Sequence, residues 1–278
     1  MIPVARLKTR FRPRRRPRYV GPSFNRMIPN ILTLLGLCAG LTSMRYGLEG
    51  RFGAAAAAIT VAACIDGLDG RLARLLRATS RFGAEFDSLT DFCAFGVAPA
   101  LVMYLWSLQI GGGYGFMPCL LFAVCMALRL ARFNASLDEP PAIAHAYAYS
   151  FFTGVPAPAG AGLALFPLFL GLEGQDLGLP LLVTIAHNPL FCAAVLTGTA
   201  LLLVSKLPVW NFKNFKVPKQ LVLPLLLGVS AFAALLVADP WAALAAAGFL
   251  YLLMLPLSRR SFVRLRAEAE SVTGSASS

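Results

Sequence analysis

Asp66-Gly67-Leu68-Asp69-Gly70-Arg71-Leu72-Ala73-Arg74, followed after eight residues by Gly83-Ala84-Glu85-Phe86-Asp87-Ser88-Leu89-Thr90-Asp91, decides how this chain is read. Four aspartates fall within 26 residues of an otherwise very apolar sequence. A charged side chain at membrane depth is unfavourable by roughly 2.5–3.5 kcal/mol on insertion scales. Acids at the ends of two apolar helices therefore point to a cation site and a reaction.

The surrounding composition supports the membrane setting. The 278 residues are 58% hydrophobic, with a mean hydropathy of +0.69. Charged residues make up 14%, where a soluble domain carries about 25%. Apolar runs near the ~20 residues that span a bilayer recur along the chain. Eight are expected, at 28–48, 52–72, 86–108, 115–135, 151–170, 189–206, 220–238 and 241–257. The short apolar stretch 179–185, cut off by Asn188-Pro189, reads as a re-entrant or interfacial piece. The fold expected is an all-α polytopic membrane helix bundle.

Charge placement orients it. With the N-terminus in the cytoplasm, 23 of the 25 Lys and Arg residues fall on the cytoplasmic side, and Arg45 and Arg51 are the exceptions. This is the positive-inside pattern, and it places both termini and the acid cluster in the cytoplasm. Much of the net charge of +12 comes from residues 6–26. Clustered Arg and Pro beside a first span read as a tail on anionic headgroups. No folded reader or aromatic interleaving points to nucleic acid. The long basic region and full-length first span argue against a cleavable signal peptide.

Six cysteines (38, 64, 93, 119, 125 and 192) lie in apolar segments without metal-ligand spacing and read as small buried hydrophobes. His145 and His187 are isolated and read as loop or interface residues. The sequence after residue 258 reads as a disordered tail, and no internal repeat is evident.

Residues three and four apart share a helix face. Asp66 with Asp69, Gly70 with Arg74, and Asp87 with Asp91 are such pairs. The short linker 75–82 predicts antiparallel neighbouring helices, so all four acids converge. Carboxylates this close repel unless a hard cation joins them. Mg²⁺ favours oxygen ligands and substrate phosphate, and two ions sharing carboxylates make a phosphoryl-transfer site. Glycines 67, 70 and 83 admit a bulky ligand, and Arg74 can fork onto a diphosphate. The competing reading is a structural salt-bridge network with Arg71, Arg74, Arg77 and Arg81.

The spacing Asp66-x2-Asp69-Gly70-x2-Ala73-Arg74-x8-Gly83-x3-Asp87-x3-Asp91 resembles the signature of the CDP-alcohol phosphotransferase family at every fixed position. The resemblance implies a six-helix catalytic core over 28–206, two added helices in 207–257, and cytoplasmic tails at 1–27 and 258–278. It also implies Mg²⁺ or Mn²⁺, two per site. Asp66, Asp69 and Asp87 would hold one ion and Asp66, Asp87 and Asp91 the other, with Asp91 as general base. Gly70, Arg74 and Ser80 would contact nucleotide and diphosphate. Pro29-Asn30-x2-Thr33 is similar to the family's opening, where Asn30 and Thr33 face the cytidine; alternatively they cap a helix after Pro29. A homodimer is usual for the family.

Three further segments, 87–100, 128–134 and 152–159, resemble the serine-accepting branch of the family. That implies transfer of a phosphatidyl group from CDP-diacylglycerol to L-serine, releasing CMP; cytosolic substrates and inward-facing acids point to a bacterial inner membrane, with an organellar membrane as the alternative. Arg129 or Arg132 would clamp the serine carboxylate while Asn134 satisfies other polar groups; alternatively both arginines are snorkelling anchors. Pro156 and Pro158 are expected to kink or break the fifth span. Glycerol 3-phosphate, an inositol phosphate or choline are rival acceptors, with Tyr147, Tyr149, Phe151 and Phe152 as aromatics for choline. A divalent-cation transporter is the remote alternative, although acids at the rim and the lack of a repeat speak against it.

Overall fold

The computed structural model describes residues 24–76, 78, 80–137, 151–205, 208–210 and 219–255. The N-terminal tail, His145, Tyr147, Tyr149, Arg77, Lys206 and the C-terminal tail lie outside the described residues. The protein is an all-α polytopic membrane bundle. Its helices are α1 (Phe24–Leu48), α2 (Phe52–Leu75), α3 (Arg81–Asp91), α4 (Ala98–Trp106), α5 (Gly112–Leu137), α6 (Ala157–Ala164), α7 (Phe166–Asp176), α8 (Pro180–Ala186), α9 (Pro189–Val204), α10 (Lys219–Ala238) and α11 (Pro240–Leu255). A π-helical stretch, Phe92–Val97, fuses α3 to α4. A three-residue antiparallel ladder pairs β1 (Phe151–Thr153) with β2 (Pro208–Trp210).

Among the described residues, four stretches are long and apolar enough to cross a membrane: Met27–Leu48, Phe52–Leu75, Arg81–Trp106 and Leu108–Ala135. The bent pairs α6–α7 and α8–α9 bring the number to six. The first pair bends by 48° and the second by 53°. The fifth span thus differs from expectation. Its stretch begins as strand, and Pro156 and Pro158 start α6 instead of kinking it. The bend falls at Leu165, where Pro167 sits in the first turn of α7. A proline there lacks an N–H that the turn does not use. At the second bend, Asn188 caps α9 by accepting from the backbone N–H of Leu190 at 2.9 Å and of Phe191 at 3.3 Å.

The α1–α2 hairpin turns through Gly50, whose φ of +72° suits glycine. Arg51 N–H donates to the Tyr46 carbonyl and Gly50 N–H to that of Gly47, the paired bonds of a Schellman ending. Gly40 then allows α1 to cross the π stretch, since a Cβ there would stand 2.8 Å from Ala94 Cα. Phe95, Met103, Phe122, Met126, Leu168, Leu196 and Leu203 form the buried centre. Leu34, Leu41, Val61, Leu120 and Val124 lie exposed around it, as lipid-facing residues do.

One expectation is sharpened and one corrected. The span that carries Asp87 and Asp91 meets α2 through its π-helical stretch and α4, while α2 and α3 each pack on α1 and leave a cleft between them. The cysteines divide, with Cys119, Cys125 and Cys192 buried, Cys93 half-buried, and Cys38 and Cys64 exposed. A small apolar thiol is as well accommodated by hydrocarbon as by a protein core. His187 does lie at an interface, its ring 4.7 Å from that of Trp106 and its carbonyl accepting from Ser107 Oγ at 2.7 Å.

Candidate active site

α2 ends in the cluster and α3 begins it. Ser80 starts α3, its Oγ accepting from Gly83 N–H at 2.9 Å. The linker is pinned by Ala78 N–H to the Ala73 carbonyl. These constraints bring oxygens of Asp66, Asp69 and Asp87 all within 4.8 Å of one another. Asp91 completes the group, within hydrogen-bonding reach of Asp66. Among the described residues no ion pair joins Arg71 or Arg74 to these aspartates. Arg74 Nε instead donates to the Gly70 carbonyl at 3.0 Å. The salt-bridge reading therefore finds no support from those two arginines, and Arg77 lies outside the described residues.

An open cleft of about 180 Å³ lies between α1, α2 and α3, walled by Asn30, Thr33, Asp69, Gly70, Ser80 and Asp87. At its inner end a void of about 10 Å³ touches Asp66, Asp69, Asp87 and Asp91. That is room for one water-sized particle, ringed by carboxylate oxygens. The donor set suits a hard divalent cation such as Mg²⁺ or Mn²⁺.

Asn30 and Thr33 lie inside α1, which begins at Phe24, so neither is a helix cap. Thr33 Oγ1 lies 3.0 Å from Asp69 Oδ2 and 3.0 Å from the Pro29 carbonyl. Asp69 is 5% exposed and takes its orientation from this contact. Gly83 brings α3 against α1, since a Cβ there would stand 3.1 Å from Ser80 Oγ and 3.2 Å from Asn30 Oδ1. Gly67 and Gly70 would meet nothing within 4 Å. Gly70 lines the cleft, so its missing side chain leaves that space open.

The three residues proposed for the acceptor separate. Arg129 lies near enough to Asp91 and Asp66 to interact electrostatically with both, and its Nε donates to the Val155 carbonyl. Arg132 Nη1 donates to the Val204 carbonyl at 3.0 Å, at the negative end of α9. Asn134 bridges to α3, accepting from Ser88 Oγ at 3.0 Å and donating to Glu85 Oε2 at 3.4 Å. Sequence reasoning missed Thr90. It is 6% exposed and borders the inner void, and its hydroxyl has no hydrogen-bond partner among the described residues. Its position one before Asp91 was the available signal.

The family model for CDP-alcohol phosphatidyltransferase matches residues 26–211, and a second, CDP-alcohol phosphatidyltransferase 2, matches 220–256. The chain belongs to the CDP-alcohol phosphatidyltransferase family and is a membrane-embedded transferase of that family. Among its relatives, the CDP-diacylglycerol–serine O-phosphatidyltransferase of Mycobacterium leprae is 41% identical over 219 residues, covering 77% of this chain and 68% of the relative. The enzymes of the same name from Helicobacter pylori and Bacillus subtilis are 37% and 29% identical. Those alignments cover 68% and 67% of this chain and 74% and 92% of the relatives.

Proposed function

We propose that the protein transfers the phosphatidyl group of CDP-diacylglycerol to the hydroxyl of L-serine, giving phosphatidylserine and CMP. The observation that carries this reading is the convergence of the Asp66, Asp69 and Asp87 oxygens at the inner end of an open cleft. The names of the relatives favour serine as acceptor. So does Arg129, a cation beside Asp91 that suits an acceptor carrying a carboxylate.

Asp66, Asp69, Asp87 and Asp91 would hold the Mg²⁺ or Mn²⁺ ions, two per site as the family resemblance implies. Bound there, such ions supply charge neutralisation for the attacking and leaving oxygens. Asn30, Thr33, Gly70 and Ser80 line the nucleotide side. Arg74, tethered to Gly70, offers its terminal amino groups to the diphosphate. Asp91 takes the proton from the serine hydroxyl. The serine oxygen then bonds to the lipid-side phosphorus, the bond from that phosphorus to the bridging oxygen breaks, and CMP leaves with the electron pair.

Catalysis is assigned to residues 28–206, with 207–257 as two added membrane helices and 1–27 and 258–278 as cytoplasmic tails. The basic residues favour a cytoplasmic active site, and the bacterial relatives favour an inner membrane. A homodimer is the expected assembly. The test is CMP release by purified protein with CDP-diacylglycerol and Mg²⁺ or Mn²⁺, adding L-serine, glycerol 3-phosphate, inositol phosphate or choline in turn. Release that needs serine and falls by roughly 10²–10⁴ in Asp91→Asn is expected. Release with another acceptor overturns the serine assignment, and none with any acceptor overturns the transferase chemistry.

A further inference from the structure

A second cavity, of about 220 Å³, lies between α2, α6, α7 and α11. Its walls include Ile59 and Ala63 of α2, Gly162 of α6, Phe169 of α7, and Ala247 and Tyr251 of α11. An apolar cavity of ~150 Å³ stays dry and takes up small hydrocarbons, so this larger one favours an apolar guest over water. Its place in the bundle says which guest. Ile59, Ala63 and Asp66 follow one another at helical spacing on one face of α2. The groove therefore continues, toward the membrane interior, the same helix face that carries the aspartate.

The end of the groove nearest the cluster is polar. The Tyr251 hydroxyl is buried and has no hydrogen-bond partner among the described residues. Such a group is destabilising unless something supplies its bond. Arg129 is close enough to act on it electrostatically, as it acts on Asp91 and Asp66. An unpartnered donor near Arg129, continued by an apolar groove, matches an ester group continued by a hydrocarbon chain.

We propose that α11 completes the lipid-donor site: the groove takes one acyl chain of CDP-diacylglycerol, and the Tyr251 hydroxyl donates to the ester carbonyl of that chain. The inference rests on CDP-diacylglycerol being the donor. Tyr251 is a positioning residue and touches no reacting atom. The packing of α11 fits this role. Trp241 stacks on Phe169 with ring centroids 6.3 Å apart, and Gly248 seats the helix where a Cβ would come within 3.3 Å of Phe166 Cδ2. A Cβ at Gly162, by contrast, would meet nothing within 4 Å, so a side chain added there starts into the groove without a clash at its first atom.

The test uses the full chain in lipid nanodiscs and CDP-diacylglycerol bearing a diazirine on one acyl chain. Photolabelling of the wild-type protein is expected on α6 and α11 around Gly162 and Ala247, and unlabelled donor is expected to suppress it. Gly162→Leu is expected to abolish that labelling and raise KM for a long-chain donor roughly tenfold, with little change for a dihexanoyl donor or for serine. Tyr251→Phe is expected to raise the donor KM several-fold at unchanged kcat. Labelling elsewhere, equal labelling by a diazirine phosphatidylcholine, or an unchanged donor KM in both variants overturns the proposal. A wild-type protein that releases no CMP and is not labelled by the donor anywhere instead overturns the choice of donor.

Discussion

Thr33 on α1 reaches Asp69 on α2 across 36 positions of sequence, its Oγ1 lying 3.0 Å from Asp69 Oδ2. Asp69 also contributes to the carboxylate cluster. A hydroxyl that fixes one oxygen of a ligating carboxylate aims the other, and outer-shell partners of this kind are worth about 10–100-fold in metal affinity. Thr33→Val, which keeps the shape and removes the hydroxyl, is expected to weaken Mn²⁺ binding by about that factor, and Thr33→Ser to restore it. Electron paramagnetic titration of Mn²⁺ reads this without reference to turnover. Equal affinity in all three proteins would reduce the contact to helix packing.

The same cluster is expected to trade stability for function. Three carboxylates within 4.8 Å repel one another when no cation joins them. Asp87→Asn removes one charge and nearly no volume. It is expected to raise the melting temperature of chelator-treated protein by ~2–4 °C per kcal/mol of repulsion relieved, while abolishing CMP release. Added Mg²⁺ should stabilise the wild-type protein and leave the variant nearly unmoved. Thermal unfolding with and without chelator checks both signs.

Glycines in and around the site divide by what surrounds them. At Gly40 a Cβ would stand 2.8 Å from the Ala94 backbone, so Gly40→Ala must push α1 off the π stretch that follows Asp91. Lower thermal stability and lower activity are expected together. At Gly67 nothing lies within 4 Å, and alanine in a helix interior is favoured by roughly 0.5–1 kcal/mol. Gly67→Ala is therefore expected to hold or raise stability, and any loss it brings should appear in the donor KM. Melting curves beside steady-state kinetics separate the two sites.

The acid cluster was legible because its spacing is helical and its charge is unfavourable in hydrocarbon, so Asp66, Asp69, Asp87 and Asp91 had to serve something. The membrane class followed from composition in the same way. Less was legible where an outcome depends on a third element. A short linker between 75 and 82 predicted neighbouring spans with converging acids, but not that α1 would carry both α2 and α3 and leave a cleft between them. Proline positions located breaks but not their geometry: Pro156 and Pro158 begin a helix, Pro167 marks the bend, and Pro29 lies within α1. Tyr251 carries no spacing signal in an apolar run. The role proposed for it rests on α11 lying against α2 and α6.

Arg129 and Arg132 looked equivalent in sequence, and the structure predicts that they fail differently. Arg132 donates to the Val204 carbonyl at the end of α9, and Gly154 packs against its guanidinium. Losing that bond loosens the α5–α9 contact. Arg132→Gln is therefore expected to lower stability by about 1–2 kcal/mol, as loss of a charged hydrogen bond does, with KM for serine nearly unchanged. Arg129 stands beside Asp91, so a serine carboxylate bound there loses its cation in Arg129→Gln. Its KM for serine is expected to rise by tenfold or more, about 1.4 kcal/mol, with the donor KM less affected. Arg129→Lys keeps the charge but not the fork, and should recover part of the loss. A serine KM that rises in Arg132→Gln and not in Arg129→Gln would exchange the two roles and move the acceptor site toward α9.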